Sequence, residues 1–375
     1  MPKTDFIVVG GGVCGTLAAV TLAEAGASVA LVDEGVNAGS DTNAGSLHVQ
    51  MQSRFMRLYP DQVPNLEAAL PFYRAAADEW VRLDAALGGV ELVRKGGLML
   101  AETEEQLAFL AKKAEREIAQ GLSVDILNRS ELDEIAPWLG PQIIGAELCR
   151  DEGKLNPLIA SRLLRMRAEA AGVARFAQRV MQVRTTPHGV EVETQQDTLT
   201  SEQVIVAAAW GTGPLVAGFG VTLPTKAEPL HMNITEPAAP CINHLVQHAE
   251  RSITLKQFGT GQIVIGGGWP ATATGRNTTP TVRPDSMLRN VALAARLAPA
   301  ISNLRVIRTW AGMNTTIDGA SVIGPLPDAD RVTMAIPGDA GYTLGPLVGR
   351  IAAQMVMGIP PDVDVDRFSP RRFSN

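Results

Sequence analysis

In the stretch Asp5–Gly15, DFIVVGGGVCG, four apolar residues run straight into a glycine cluster. An apolar, alanine-rich segment follows, roughly Cys14 to Ala25, and then a second short apolar run, SVALVD, ending at Asp33. A strand that feeds a glycine turn, opens a helix and returns as a strand marks the start of a Rossmann-type α/β sheet. Gly10, Gly12 and Gly15 give the GxGxxG spacing, and Ala19 extends it. Gly10 permits the tight turn, Gly12 lets the backbone approach a pyrophosphate, and Gly15 lets the helix pack close on the sheet. The helix N-terminus then offers unpaired N–H groups and partial positive charge to phosphate. Asp33, 18 residues after Gly15, ends the second strand where a carboxylate can bond a ribose diol, with Glu34 as its neighbouring competitor. An acid there disfavours a 2′-phosphate, so NAD or FAD is expected rather than NADP.

A chain of 375 residues, 46% hydrophobic and 19% charged, is long enough for two lobes with separate cores. The net charge of −6 and the lack of a basic stripe argue against a nucleic-acid partner. The basic C-terminal cluster RFSPRRFSN reads as a solvated tail. Cys14, Cys149 and Cys241 are scattered and make no CxxC pair, so neither an iron–sulfur cluster nor a metal site is expected in this chain. Scattered thiols also fit a reducing compartment. No apolar run reaches the roughly 18 residues that span a membrane. The first strand begins by Phe6, which leaves no room for a signal peptide. The expectation is a cytoplasmic protein with no membrane span.

Helical periodicity covers 66–87, 104–121, 156–172 and a segment near 284–298, and a terminal helix follows GDAGYTLGP. Strands are expected over 92–101, 180–186, 189–195 and 203–209. Strands and helices alternate at both ends, and a proline- and threonine-richer, strand-dominated stretch lies between. The expected fold is α/β, a Rossmann-type nucleotide domain built from discontinuous segments (1–85, 150–220 and 308–375). A mixed antiparallel-sheet α+β substrate domain (86–149 and 221–307) interrupts it.

The glycine motif cannot separate NAD from FAD, but the loop after Asp33 helps. GVNAGSDTNAGSLHVQ (35–50) is rich in small residues, which suits close backbone contact with a large resident ligand. Here the sequence resembles the FAD-dependent amine oxidoreductases of the D-amino-acid oxidase/glycine oxidase superfamily. The blocks that carry the resemblance occur in the family's order: GGGVCG with Asp33, TNAGSL (42–47), DEGKLNPL (151–158), VIVAAAWGTGPL (204–215), RTWAGMNTTIDGASVIG (308–324) and GDAGYTLGP (338–346). NAGSLHVQMQSRF and IGGGWP look most like the beta subunits of opine or proline/hydroxyproline dehydrogenase complexes.

The resemblance implies tightly bound, non-covalent FAD and oxidation of a substrate C–N bond by hydride transfer to flavin N5. It also implies a small-molecule amine or amino-acid substrate, and hetero-oligomeric partner subunits that take the electrons. Any second flavin or iron–sulfur cluster would belong to those partners. Ser40, Thr42, Asn43, Ala44, Gly45, Ser46 and Leu47 fall in the flavin loop. Val180 and Ala208 match the adenine and dinucleotide contacts. Gly341, Tyr342, Thr343 and Leu344 would face the charge that grows at the flavin N1 and C2 carbonyl. For the substrate pocket the candidates are His48 as a base, His231 on the opposite wall, Trp269 as an apolar lid, and Arg54 on a carboxylate.

Three departures from the family stand out. Asn314 takes the place of an arginine that grips the substrate carboxylate, and a neutral amide cannot replace a bidentate guanidinium. Ala209 replaces a glycine, which a slightly shifted backbone would absorb. Ile336 and Pro337 replace a Gly–His pair. A dehydrogenase subunit acting on a secondary-amine amino acid, a stand-alone peroxide-forming oxidase, and a non-catalytic flavoprotein of an electron-transfer complex all stay open.

Overall fold

A computed structural model describes residues 4–36, 39–275 and 278–374. The chain forms two compact units, one from residues 1–41, 158–228 and 314–375, the other from 42–157 and 229–313. These bounds differ from the expected domains, because 42–85 and 150–157 belong to the second unit. Ion pairs and hydrogen bonds explain the placement. Arg116 pairs with Glu67, Arg74 donates to the Gly121 carbonyl, and Ser46 pairs with Lys154 across a short antiparallel ladder.

The first unit is built on an eight-stranded sheet. Its centre is parallel: the strand Thr4–Val9 lies between Val29–Val32 and Thr198–Val206, with Ala174–Phe176 and Ala329–Ile336 outside them. Val322–Leu326 closes one edge as an antiparallel hairpin, and Val180–Thr186 and Gly189–Thr194 form a second hairpin on Thr198–Val206. The central strands read as unbroken apolar runs (Ile7, Val8, Val9; Val204, Ile205, Val206) because parallel strands are buried on both faces.

The helix Val13–Glu24 packs along the C-terminal helix Gly341–Val356, and glycines set the approach. A Cβ on Gly345 would stand 2.6 Å from Val13 Cγ1, and one on Gly349 would overlap the Cys14 carbonyl. The opening turn and the far C-terminus therefore share one core.

The C-terminal residues correct an expectation. Phe368 is buried, and the Arg372 guanidinium donates to both carboxylate oxygens of Asp318 and to the carbonyls of Ala320 and Ser321. A basic composition suggests solvation, but a fork-shaped donor with a facing carboxylate docks instead.

The second unit carries a nine-stranded, mostly antiparallel sheet. Its longer helices are Leu70–Leu87, Glu104–Ala119 and Pro284–Leu297. Thr103 caps the second of these, accepting from Gln106 N, with Glu104 and Glu105 in its first turn. On the buried side of that helix Lys113 lies 2.7 Å from Glu117 and 2.6 Å from Glu147. Burial pulls the Lys113 ammonium toward neutrality, but the two carboxylates hold its pKa above the ordinary value. Desolvation raises Glu147 well above the usual carboxylate range. Among the described residues no helix is long and apolar enough to cross a membrane.

Candidate flavin and substrate site

The glycine turn of the first unit has the shape a pyrophosphate needs. Gly10 sits at φ +107°, where a Cβ would collide with the Ala207 carbonyl. A Cβ on Gly15 would overlap the Gly10 carbonyl, so this glycine sets how closely helix and strand pack. Gly12 starts the helix with no side-chain cap of its own and no acid in the first turn. Ser40 reaches in from the following loop, and its Oγ accepts from Val13 N at 2.9 Å. Asp33 ties strand end to turn, accepting from Gly11 N at 2.5 Å and from Gly35 N at 2.6 Å. Glu34 is half-buried beside it, and Asn37 and Ala38 of the same loop lie outside the described residues.

The C-terminal helix has the same electrostatic character. Ala340 precedes it without capping, its first turn holds no acid, and a Cβ on Gly341 would meet nothing within 4 Å. Its first-turn N–H groups, including those of Tyr342 and Thr343, carry partial positive charge, whereas Leu344 N donates to the Ala340 carbonyl at 3.1 Å. Two helix starts with no acid in the first turn suit an anionic dinucleotide with a ring that gains negative charge. Val180 packs in the sheet core with Val183 and Val190, so its side chain is not available to a ligand. Ala208 precedes the 3-10 turn at Ala209–Gly211.

Ala209 corrects a second expectation. Its φ is +51°, so alanine here adopts a left-handed backbone that L-residues rarely take. That conformation costs an L-residue roughly 1–2 kcal/mol. Glycine gives back part of this through its freer unfolded chain, so Ala209→Gly should raise unfolding stability by up to about 1 kcal/mol. Denaturant unfolding checks it.

In the second unit the loop Thr42–Leu47 is held on several sides. Trp310 Nε1 donates to the Thr42 carbonyl at 2.8 Å, and a Cβ on Gly312 would overlap Thr42 Oγ1. Asn43 Oδ1 accepts from Gly45 N at 2.8 Å. Gly45 has φ +76° and lies against the Leu155 carbonyl. Ala44 is half-buried, and Ser46 and Leu47 are buried.

The substrate-pocket candidates meet different fates. His48 Nδ1 lies 3.7 Å from Glu152 Oε1. Glu152 is buried and accepts from Val49 N (2.8 Å), Gln50 N (3.2 Å), Gln50 Nε2 (2.8 Å) and Gln247 Nε2 (2.8 Å). His231 is buried opposite Trp269 in the ladder, and burial lowers its pKa. Trp269 Nε1 donates to the Ser252 carbonyl at 2.5 Å. Arg54 packs against Gly268, so Trp269, His231 and Arg54 are neighbours, whereas His48 belongs to the Glu152 network. Asn314 Nδ2 donates to Asp339 Oδ1 at 2.7 Å. Sequence reasoning misses Glu152, Lys154 and Lys256. The first two stand inside DEGKLNPL, a block to which the resemblance attaches no residue role, and Lys256 carries no local signal.

The parallel-centred sheet and its close glycine turn mark a Rossmann-type nucleotide-binding unit. Residues 5–355 match the family described as FAD dependent oxidoreductase, and the chain belongs to that family. It is 26% identical to an opine oxidase component from Rhizobium meliloti, one subunit of that enzyme, over all of this chain and 98% of that one. It is 25% identical to glycine oxidase of Bacillus licheniformis, over 99% of this chain and 98% of that one. Among solved structures, glycine oxidase from Geobacillus kaustophilus superposes with a TM-score of 0.87 at 23% identity, covering 100% of both chains. The expected family and fold therefore hold.

Proposed function

We propose that this chain is a dehydrogenase subunit that oxidises the C–N bond of a secondary-amine amino acid of opine, proline or hydroxyproline type. The observation that carries the reading is the end-to-end similarity to a component of an opine oxidase, joined to a glycine turn whose helix has no acid in its first turn. Bound FAD supplies a hydride acceptor at its N5 atom. Gly10, Gly12, Gly15, Asp33, Glu34, Ser40, Val180 and Ala208 are assigned to the dinucleotide. Thr42, Asn43, Ala44, Gly45, Ser46 and Leu47 are assigned to the ring. The N–H groups of Gly341, Tyr342 and Thr343 favour negative charge near the pyrimidine end. His48, oriented by the Glu152 carboxylate, accepts the substrate amine's proton. His231, buried, shapes the wall, and Trp269 covers it. Asn314 serves through Asp339. Electrons leave through partner subunits rather than to oxygen.

The test is an anaerobic screen of opines, proline, hydroxyproline and primary amino acids against the oxidised holoprotein. A secondary-amine acid should bleach the flavin, and the reduced protein should react quickly with a dye and slowly with oxygen. Rapid peroxide release by the isolated chain would establish the stand-alone oxidase. Failure of every amine to bleach the flavin would leave a non-catalytic electron-transfer flavoprotein.

A further inference from the structure

Two lysines of the second unit are buried without a carboxylate against them among the described residues. Lys256 is 0% exposed and Lys154 5%. Lys256 Nζ donates to Ser46 Oγ at 2.6 Å, and Lys154 Nζ donates to the Ile242 carbonyl at 2.9 Å. An ammonium carries three donors, so each has capacity left over. His244 is 8% exposed, and its buried Nδ1 has no partner among the described residues. The contrast with Lys113 is instructive, because that buried lysine sits between two carboxylates.

The cations are graded from surface to interior. Lys95 is exposed and acts electrostatically on Lys154 and His244, and Lys154 acts on Lys256 and His244. Burial first, and repulsion from the neighbouring lysine named for each second, pull Lys154 down to about 8, Lys256 to about 7 and His244 to about 4. Cys241, the acidic group that acts on Lys154, is a thiol whose own pKa burial raises. Like charges buried together are costly unless an anion joins them.

We propose that Lys154, Lys256 and His244 form a carboxylate-binding site, with Lys95 drawing the anion inward. Resting on the function proposed above, that carboxylate is the substrate's own. It replaces the grip lost where Asn314, engaged by Asp339, stands for an arginine. Ser46, in the loop assigned to the flavin ring, fixes the deep end through Lys256.

The experiment titrates the holoprotein with acetate, using acetamide as the uncharged control, and follows the flavin spectrum and the heat of binding. Acetate should bind saturably and acetamide should not. Lys154→Met and Lys256→Met should each weaken acetate about 10- to 100-fold, as expected for a charge-assisted contact. Lys95→Met should flatten the salt dependence of binding. With any acid that bleaches the flavin, Lys154→Met should raise KM by a similar factor and leave kcat within about threefold. Should Lys256→Met fail to fold, Lys154→Met and the wild-type acetate–acetamide comparison decide the matter. Acetate binding that matches acetamide in the wild type, or that is unchanged in Lys154→Met, overturns the site. Bleaching by amino acids with KM unchanged in both variants removes the inference alone. Lysine-dependent acetate binding without any bleaching keeps the anion site and removes the substrate reading.

Discussion

Replacing Glu152 with alanine should lower the unfolding free energy by about 3–5 kcal/mol, the cost of stranding several buried donors. Its carboxylate is the shared acceptor for Val49 N, Gln50 N, Gln50 Nε2 and Gln247 Nε2. Removal leaves all four without that partner inside the second unit. Glu152→Gln should fall between the two, because one oxygen remains and the new NH2 faces donors. Gly97 must stay small for the same reason, since a Cβ there would overlap Glu152 Oε2. Urea unfolding of the three proteins tests the ranking. A loss below about 1 kcal/mol in the alanine variant, the worth of a single ordinary hydrogen bond, would show that the network does not hold the segment 48–50.

The opposite sign is expected at Lys256. Its native pKa of about 7 lies below the ordinary lysine value of 10.5, so the unfolded chain binds the proton more tightly. Burial of this lysine therefore opposes folding fully below about pH 7. The penalty fades as pH rises toward 10.5 and is gone above it. At pH 7 it amounts to roughly 3–5 kcal/mol. Lys256→Met removes it and gives up one hydrogen bond to Ser46, worth about 1 kcal/mol. The variant should thus be more stable than wild type by about 2–4 kcal/mol at pH 6–7, and the gap should close by about pH 10. Thermal unfolding across that range measures it. A gap that stays constant with pH would mean that the buried lysine holds its proton as tightly as the unfolded chain does, with no lowered pKa. The same variant is expected to bind acetate poorly, so stability and ligand affinity move in opposite directions at this position, a common tension at functional sites.

What is legible in the sequence is local. The turn at Gly10–Gly15 and the strand ending at Asp33 declare themselves within 33 residues, because spacing and side-chain size alone dictate them. The buried polar sites do not, because their partners are remote: Glu152 meets Val49 across 103 residues and Lys256 meets Ser46 across 210. No periodicity links such pairs. The helix Leu70–Leu87 shows its apolar face in sequence but not the unit that face joins, so the expected domain bounds assign most of it to the other unit. Residue preference misjudges Ala209, because the surrounding turn overrules that preference. Composition misjudges Arg372, because a facing carboxylate decides its place.

The first unit is proposed, above all, to cradle one resident flavin dinucleotide. The direct measurement is to denature the purified protein and identify and count the nucleotide released. The expected result is a yellow protein that gives up one FAD per chain without covalent residue. Gly12→Val, which crowds Ser40 Oγ only 3.1 Å from the new Cβ, should emerge folded and colourless. Release of a nicotinamide dinucleotide instead, or a colourless wild-type protein that takes up no added FAD, would contradict this reading.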